Sequence, residues 1–154
     1  MQPDTTAPFG EMRTPAMSEA ETALLSQHIP HGGSVLEFGS GGSTAFFFEN
    51  GVSHVTSVES DKAFLNALIR SPMLSFFRTK KRWMPLFANI GPTGAWGWPA
   101  AAANPEFRWL GYHQACWSFM ENRNLDLILI DGRFRVACLC QSLLHCDNKD
   151  VTFV

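Results

Sequence analysis

Val35-Leu36-Glu37-Phe38-Gly39-Ser40-Gly41-Gly42-Ser43-Thr44 decides how the rest of this chain is read. Ser34–Phe38 is an apolar run of strand length that enters a glycine cluster, and Ser43–Glu49 then reads as a helix ending at Asn50-Gly51. Gly39 and Gly41 let backbone approach a ligand with no Cβ in the way. The helix start beyond them offers N–H groups that have no partner inside the helix, a ready place for a polar or anionic ligand group.

The pattern repeats downstream. His54–Val58 is a second strand, and Asp61–Arg70 is an amphipathic helix with Ala63, Leu65, Leu68 and Ile69 apolar, closed by Ser71-Pro72. Arg82–Ala88 is a weaker third strand, which Pro85 pushes to a sheet edge or a bulge. The basic run Arg78, Lys80, Lys81 and Arg82 ahead of it reads as a solvated turn. Gly91–Pro105 is a long loop dense in glycine, proline, alanine and tryptophan, and Trp109–Glu121 reads as helix. Leu125–Ile130 is the clearest strand, a continuous apolar run after Asp126 of the kind covered on both faces. Phe134–Cys146 is helical, and Val151–Val154 begins a fifth strand.

Upstream, Met1–Met17 is an irregular lead-in rich in proline and threonine. Ser18 and Glu21 make a capping-box pattern, backed by an apolar stripe of Ala20, Ala23, Leu24 and Leu25, and Pro30 with Gly32-Gly33 stops that helix near His28. Strands alternating with helices predict an α/β fold, a mostly parallel Rossmann-like sheet with helices on both faces. Residues 1–33 form the lead-in and first helix, and residues 34–154 the sheet domain. The sequence stops inside the fifth strand, and an unprotected strand edge is something complete domains avoid. The expectation is therefore a C-terminally incomplete fold that self-associates through that edge.

Bulk properties narrow the class. The chain has 154 residues, 45% hydrophobic and 17% charged, an ordinary globular balance of one domain's size. A formal net charge of -2 gives no basic face for nucleic acid. No apolar run approaches the ~20 residues of a membrane span, and no signal peptide opens the chain, so a cytoplasmic protein is expected. Cys116, Cys138, Cys140 and Cys146 lack a disulfide-scaffold spacing. Positions two apart on a helix point to different faces, so Cys138, Cys140, His145 and Cys146 do not converge on zinc.

Two carboxylates carry the chemistry. Glu37 stands two positions before the first glycine, where it can reach a ligand ammonium. Glu59 ends the second strand, where it can accept hydrogen bonds from both hydroxyls of a ribose or, alternatively, cap the following helix.

These stretches resemble a family. Leu-Glu-Phe-Gly-Ser-Gly-Gly-Ser-Thr and Val-Thr-Ser-Val-Glu-Ser-Asp are similar to the first and second motifs of class I S-adenosylmethionine-dependent methyltransferases. Leu125–Gly132 is similar to the fourth motif, whose terminal aspartate faces the cofactor's reactive end. The resemblance implies that Glu37, Gly39, Ser40, Gly41, Gly42, Ser43 and Thr44 hold the methionine end of S-adenosylmethionine. Glu59 and Ser60 would hold ribose, Asn89 and Ile90 would lie in the adenine region, and Asp131 would be both a cofactor contact and the best-placed catalytic residue. It also implies sixth and seventh strands, which have no counterpart here.

The departures shape the acceptor. Arg133-Phe134-Arg135 follows Asp131-Gly132 where metal-dependent members carry further ligands, so no metal is expected; these arginines point to an anionic acceptor or to an Arg–Asp pair. Gly94-Ala95-Trp96-Gly97-Trp98 offers either an aromatic lid over the site or a plug for a loose loop. Tyr112 and His113 are either an acid–base pair of candidates or surface and capping residues. A small-molecule methyl acceptor is expected. Two other readings stand beside it, an NAD(P)-dependent oxidoreductase and a non-catalytic cofactor-binding remnant. Against the oxidoreductase, Thr44 occupies the third glycine position of the dinucleotide fingerprint.

Overall fold

The computed structural model describes residues 14–100, 108–120, 124–146 and 150–154. The elements run α1 (Glu19–His28), β1 (Ser34–Phe38), α2 (Gly42–Glu49), β2 (His54–Glu59), α3 (Lys62–Arg70), α4 (Pro72–Thr79), β3 (Trp83–Phe87), α5 (Leu110–Gln114), β4 (Leu127–Ile130), α6 (Arg135–His145) and β5 (Thr152–Phe153). The strands form one five-stranded sheet in the order β3-β2-β1-β4-β5, and every pairing is parallel. This is the α/β Rossmann-like architecture, with the strand order reversing between β1 and β4.

Strand parity sorts the core. Val35, Val55, Leu127, Leu129 and Trp83 share one face with Leu25 of α1, Phe47 and Phe48 of α2, Leu65 and Leu68 of α3, and Leu74 of α4. Leu36, Phe38, Val58 and Ile128 share the other face with Tyr112, Cys116, Trp117 and Cys138. Helices therefore cover both faces. Pro85 sits on β3, an edge strand, where its missing N–H is tolerated.

Several elements differ from expectation. Pro72 does not only end α3; it is the first residue of α4, and Ser71 serves as the C-cap of one helix and the N-cap of the next. A proline's fixed φ suits a helix start as well as it breaks a helix interior. The helix expected from Trp109 shortens to α5 and a separate 3₁₀ turn at Trp117–Phe119, because glycine, aromatics and serine supply little helix propensity there. Only Leu25 of the expected α1 stripe is buried, while Leu24 is exposed. The capping box at Ser18 is present as read. Of the lead-in, residues 1–13 lie outside the described residues, as do 101–105 of the long loop and Glu121.

Arg82 corrects the solvated-turn reading. Its Nε donates to the Ser53 carbonyl and its Nη2 to the Val52 carbonyl, each at 2.8 Å. The guanidinium lies 4.9 Å from the Phe77 ring and 5.6 Å from the Phe48 ring, themselves stacked 3.9 Å apart. It thus ties the β2 entry to α2 and α4. Arg82→Ala is expected to lower the unfolding free energy by about 2–3 kcal/mol, read as a lower urea midpoint. An unchanged midpoint would return Arg82 to the solvated surface.

Candidate functional site

The carboxyl ends of β1, β2 and β4 meet where the strand order reverses, the usual ligand crevice of an open parallel sheet. Gly39 holds φ +104 at the end of β1, a conformation that favours glycine. A Cβ there would lie 2.8 Å from the Gly132 Cα; one on Gly132 would lie 2.7 Å from the Phe38 carbonyl and collide with the Tyr112 hydroxyl. The turns after β1 and β4 are thus locked back to back. The Ser40 hydroxyl, in the first turn, is buried with no hydrogen-bond partner.

Glu37 does not face this crevice. Parallel register places it opposite Ser57, on the helix-covered face beneath α2. Its carboxylate is wholly buried and accepts the hydroxyls of Ser43 at 2.8 Å, Ser57 at 2.6 Å, and Thr44. Trp83 Nε1 donates in turn to Ser57 Oγ at 2.9 Å, and the Gly41 N–H to Thr44 Oγ1 at 3.1 Å. Burial raises the Glu37 pKa to about 7, against the lowering effect of those hydroxyls. The side chains of Glu37, Ser43 and Thr44, expected at the methionine end of the cofactor, turn inward to one another and hold the glycine turn in shape. Gly42 is also covered, since the Thr14 carbonyl sits where its Cβ would be.

Glu59 does reach the crevice rim. Its Oε1 accepts the N–H groups of Ser60 at 2.6 Å and Asp61 at 2.7 Å, and the Ser40 N–H also bears on the carboxylate. Burial pushes its pKa up. Asp61, not Glu59, is the side-chain N-cap of α3, accepting from the Phe64 N–H at 3.0 Å. Above Glu59 lies Gly97, at φ +68, so close that a Cβ would stand 2.9 Å from Ser60 Oγ and 3.6 Å from Glu59 Oε1. Ser60 Oγ donates to the Gly97 carbonyl at 3.4 Å. Trp96 and Trp98, flanking it, are exposed. This loop covers the rim and does not plug the core.

The Ile90 side chain is fully buried in the apolar core, and Asn89 is exposed with its Oδ1 taken by the Gly91 N–H at 3.1 Å.

Asp131 follows β4 and pairs with Arg135, Nη2 to Oδ1 at 2.7 Å, the Arg–Asp alternative. Burial pushes the Asp131 pKa up while Arg135 and Arg133 pull it down. Arg133 instead lies over the Trp98 ring, 4.5 Å from its centroid. Tyr112 and His113 are buried and so are not surface residues. The Tyr112 hydroxyl accepts the Arg133 N–H at 3.3 Å, and burial raises its pKa, which makes it a buttress for the β4 turn. Among the described residues, no three His, Cys, Asp or Glu side chains converge on a metal-sized site, and no helix is long and apolar enough to cross a membrane.

Thr14, Gly97 and the Trp98–Arg133 stack were not assigned from sequence. The glycine–tryptophan alternation marked the loop, but nothing in it tells which carboxylate the loop covers.

No family model matches the sequence, and no curated protein does. Among solved structures, the chain is similar to a candidate RNA methyltransferase from Pyrococcus horikoshii, 17% identical over 99% of this chain and 62% of that one, with a TM-score of 0.48, a likeness too slight to bear on function. It is also similar to a methyltransferase-like protein from Silicibacter pomeroyi DSS-3, 33% identical over 86% of this chain and 68% of that one, with a TM-score of 0.65. Identity at that level over two thirds of the relative, on the same parallel sheet, makes this chain a member of the class I methyltransferase-like family.

Proposed function

We propose that the chain binds S-adenosylmethionine and transfers its methyl group to a small-molecule acceptor. One observation carries this reading. A tight glycine turn with an unpartnered buried Ser40 hydroxyl lies beside a strand-end carboxylate, Glu59, at the reversal point of the sheet. The backbone of Gly39–Gly41 and the Ser40 hydroxyl would hold the amino-acid end, and Glu59 the ribose. Bound there, the cofactor supplies an electrophilic methyl on a sulfonium, which is already a good leaving group. The protein's share is alignment and exclusion of water, for which no dedicated base is required. Asp131 remains the carboxylate best placed beside the reacting end, where burial pushes its pKa up and the paired Arg135 opposes that push.

A dinucleotide fits the same crevice poorly. Its pyrophosphate would need the α2 N-terminus, where the Thr14 carbonyl already stands over Gly42. A ribose reaches Glu59 only when the loop carrying Gly97 moves off it, so binding should alter the surroundings of Trp96 and Trp98. Titration with S-adenosylhomocysteine is expected to give saturable heat and a tryptophan fluorescence change, and NAD neither. Binding of NAD without S-adenosylhomocysteine would overturn the proposal.

A further inference from the structure

We infer that the cavity beside the β4 turn is a binding site for an oxyanion, the carboxylate or phosphate of the methyl acceptor, with Arg133 as its cation. The acceptor half of this statement rests on the methyl-transfer reading above. The cavity has a volume of about 320 Å³ and is lined by Trp98, Pro99, Gly132, Arg133, Phe134 and Arg135. That size suits a compact small molecule. Gly132 backs directly onto Gly39, so the cavity adjoins the glycine turn.

The two guanidinium groups differ. Arg135 is neutralised by Asp131. Arg133 makes no ion pair among the described residues, and its Nε is buried with no hydrogen-bond partner. A buried charged donor left unpaired is costly, and a bound anion would satisfy it. The indole of Trp98 lies 4.5 Å from the guanidinium carbon, a cation–π contact that occupies no N–H donor, and a planar guanidinium can make a two-point contact with a carboxylate or phosphate. Among the described residues no carboxylate lines the cavity, and Asp131, on which Arg133 also bears, is paired with Arg135. The N-terminus of α6 opens there with no side-chain cap and no acid in its first turn, which adds to the positive potential. Trp98, Pro99 and Phe134 supply flat apolar walls, so the body attached to the anion is expected to be planar or apolar.

The test follows the Arg133 Nε–H signal by nitrogen-15 NMR on the full chain, assigned by its loss in Arg133→Gln. Benzoate and inorganic phosphate are the probes, each titrated with and without saturating S-adenosylhomocysteine. Both probes are expected to shift the signal saturably, and to do so still with S-adenosylhomocysteine bound, although movement of the Gly97 loop then changes where the signal starts. Benzoate affinity, read for the variants from the backbone amide shifts of Gly132 and Phe134, should fall roughly tenfold or more in Arg133→Gln and also weaken in Trp98→Leu, an exposed position whose change leaves the core alone. No shift with either probe overturns the inference. Displacement of both probes by S-adenosylhomocysteine also overturns it, because the anion held there would be the cofactor's own carboxylate. If the probes shift Arg133 but S-adenosylhomocysteine does not bind at all, the oxyanion site stands and the methyl-transfer reading fails.

Discussion

Glu37→Val is expected to lower the unfolding free energy by about 3–5 kcal/mol, enough to unfold much of a marginally stable domain. The carboxylate accepts three buried hydroxyls, from Ser43, Thr44 and Ser57, and Ser57 in turn accepts the Trp83 indole N–H. Valine removes the acceptor and leaves those donors with no water to turn to. Glu37→Gln keeps one acceptor oxygen for Thr44 and Ser57 and presents an amide to Ser43, so it should fold.

The pair of variants also isolates a pH effect. The Glu37 pKa is about 7 in the folded chain against an ordinary value of 4.5, so the folded state binds more protons between those limits. Its contribution is fully present below about pH 4.5 and lost as pH rises through about 7. At about 1.4 kcal/mol per pKa unit, the loss is roughly 3 kcal/mol. Burial also raises Glu59 and Asp131, which add slopes of the same sign, so the difference between wild type and Glu37→Gln is the quantity to read. Urea unfolding at pH 5 and pH 8 measures it. A difference that does not change with pH would mean that Glu37 is ionised in the folded protein throughout.

The fold was legible wherever local chemistry and chain direction agree. The Ser34–Phe38 strand, the capping box at Ser18 and the edge position of the Pro85 strand each depend on residues adjacent in sequence. Pro72 closes the preceding helix as read, but the same fixed φ also starts another, and the packing of Leu74 into the core shows that second role. In the site, the residue types were readable but the directions were not. Glu37 follows Leu36 by one position, and that single step of strand parity turns it under α2; Glu59 shares the parity but is the last residue of its strand, whereas Glu37 stands one residue short of the end of β1. Its partner Ser57 comes from a neighbouring strand, and the Gly97 that covers Glu59 comes from a loop beyond a third. Neither spacing is encoded locally.

Glu59→Ala is expected to weaken S-adenosylhomocysteine binding by ~1.5–3 kcal/mol, roughly 10- to 150-fold, if the carboxylate receives the ribose hydroxyls. The same substitution removes the acceptor for the Ser60 and Asp61 N–H groups, so a fall in melting temperature should accompany it. Glu59→Gln separates the two roles. Its carbonyl oxygen can still anchor both N–H groups, which should restore most of the stability. The charge that strengthens a hydroxyl–carboxylate bond is gone, so affinity should stay low. Because burial pushes the Glu59 pKa up, wild-type affinity should also begin to fall on acidification at a higher pH than an ordinary glutamate would impose, and Glu59→Gln should not show that fall. Calorimetric titration across pH, paired with thermal melts of all three proteins, reads both quantities. Wild-type affinity in Glu59→Gln, alongside a lowered melting temperature in Glu59→Ala, would make Glu59 an anchor of the turn into α3 and would leave the ribose without its carboxylate.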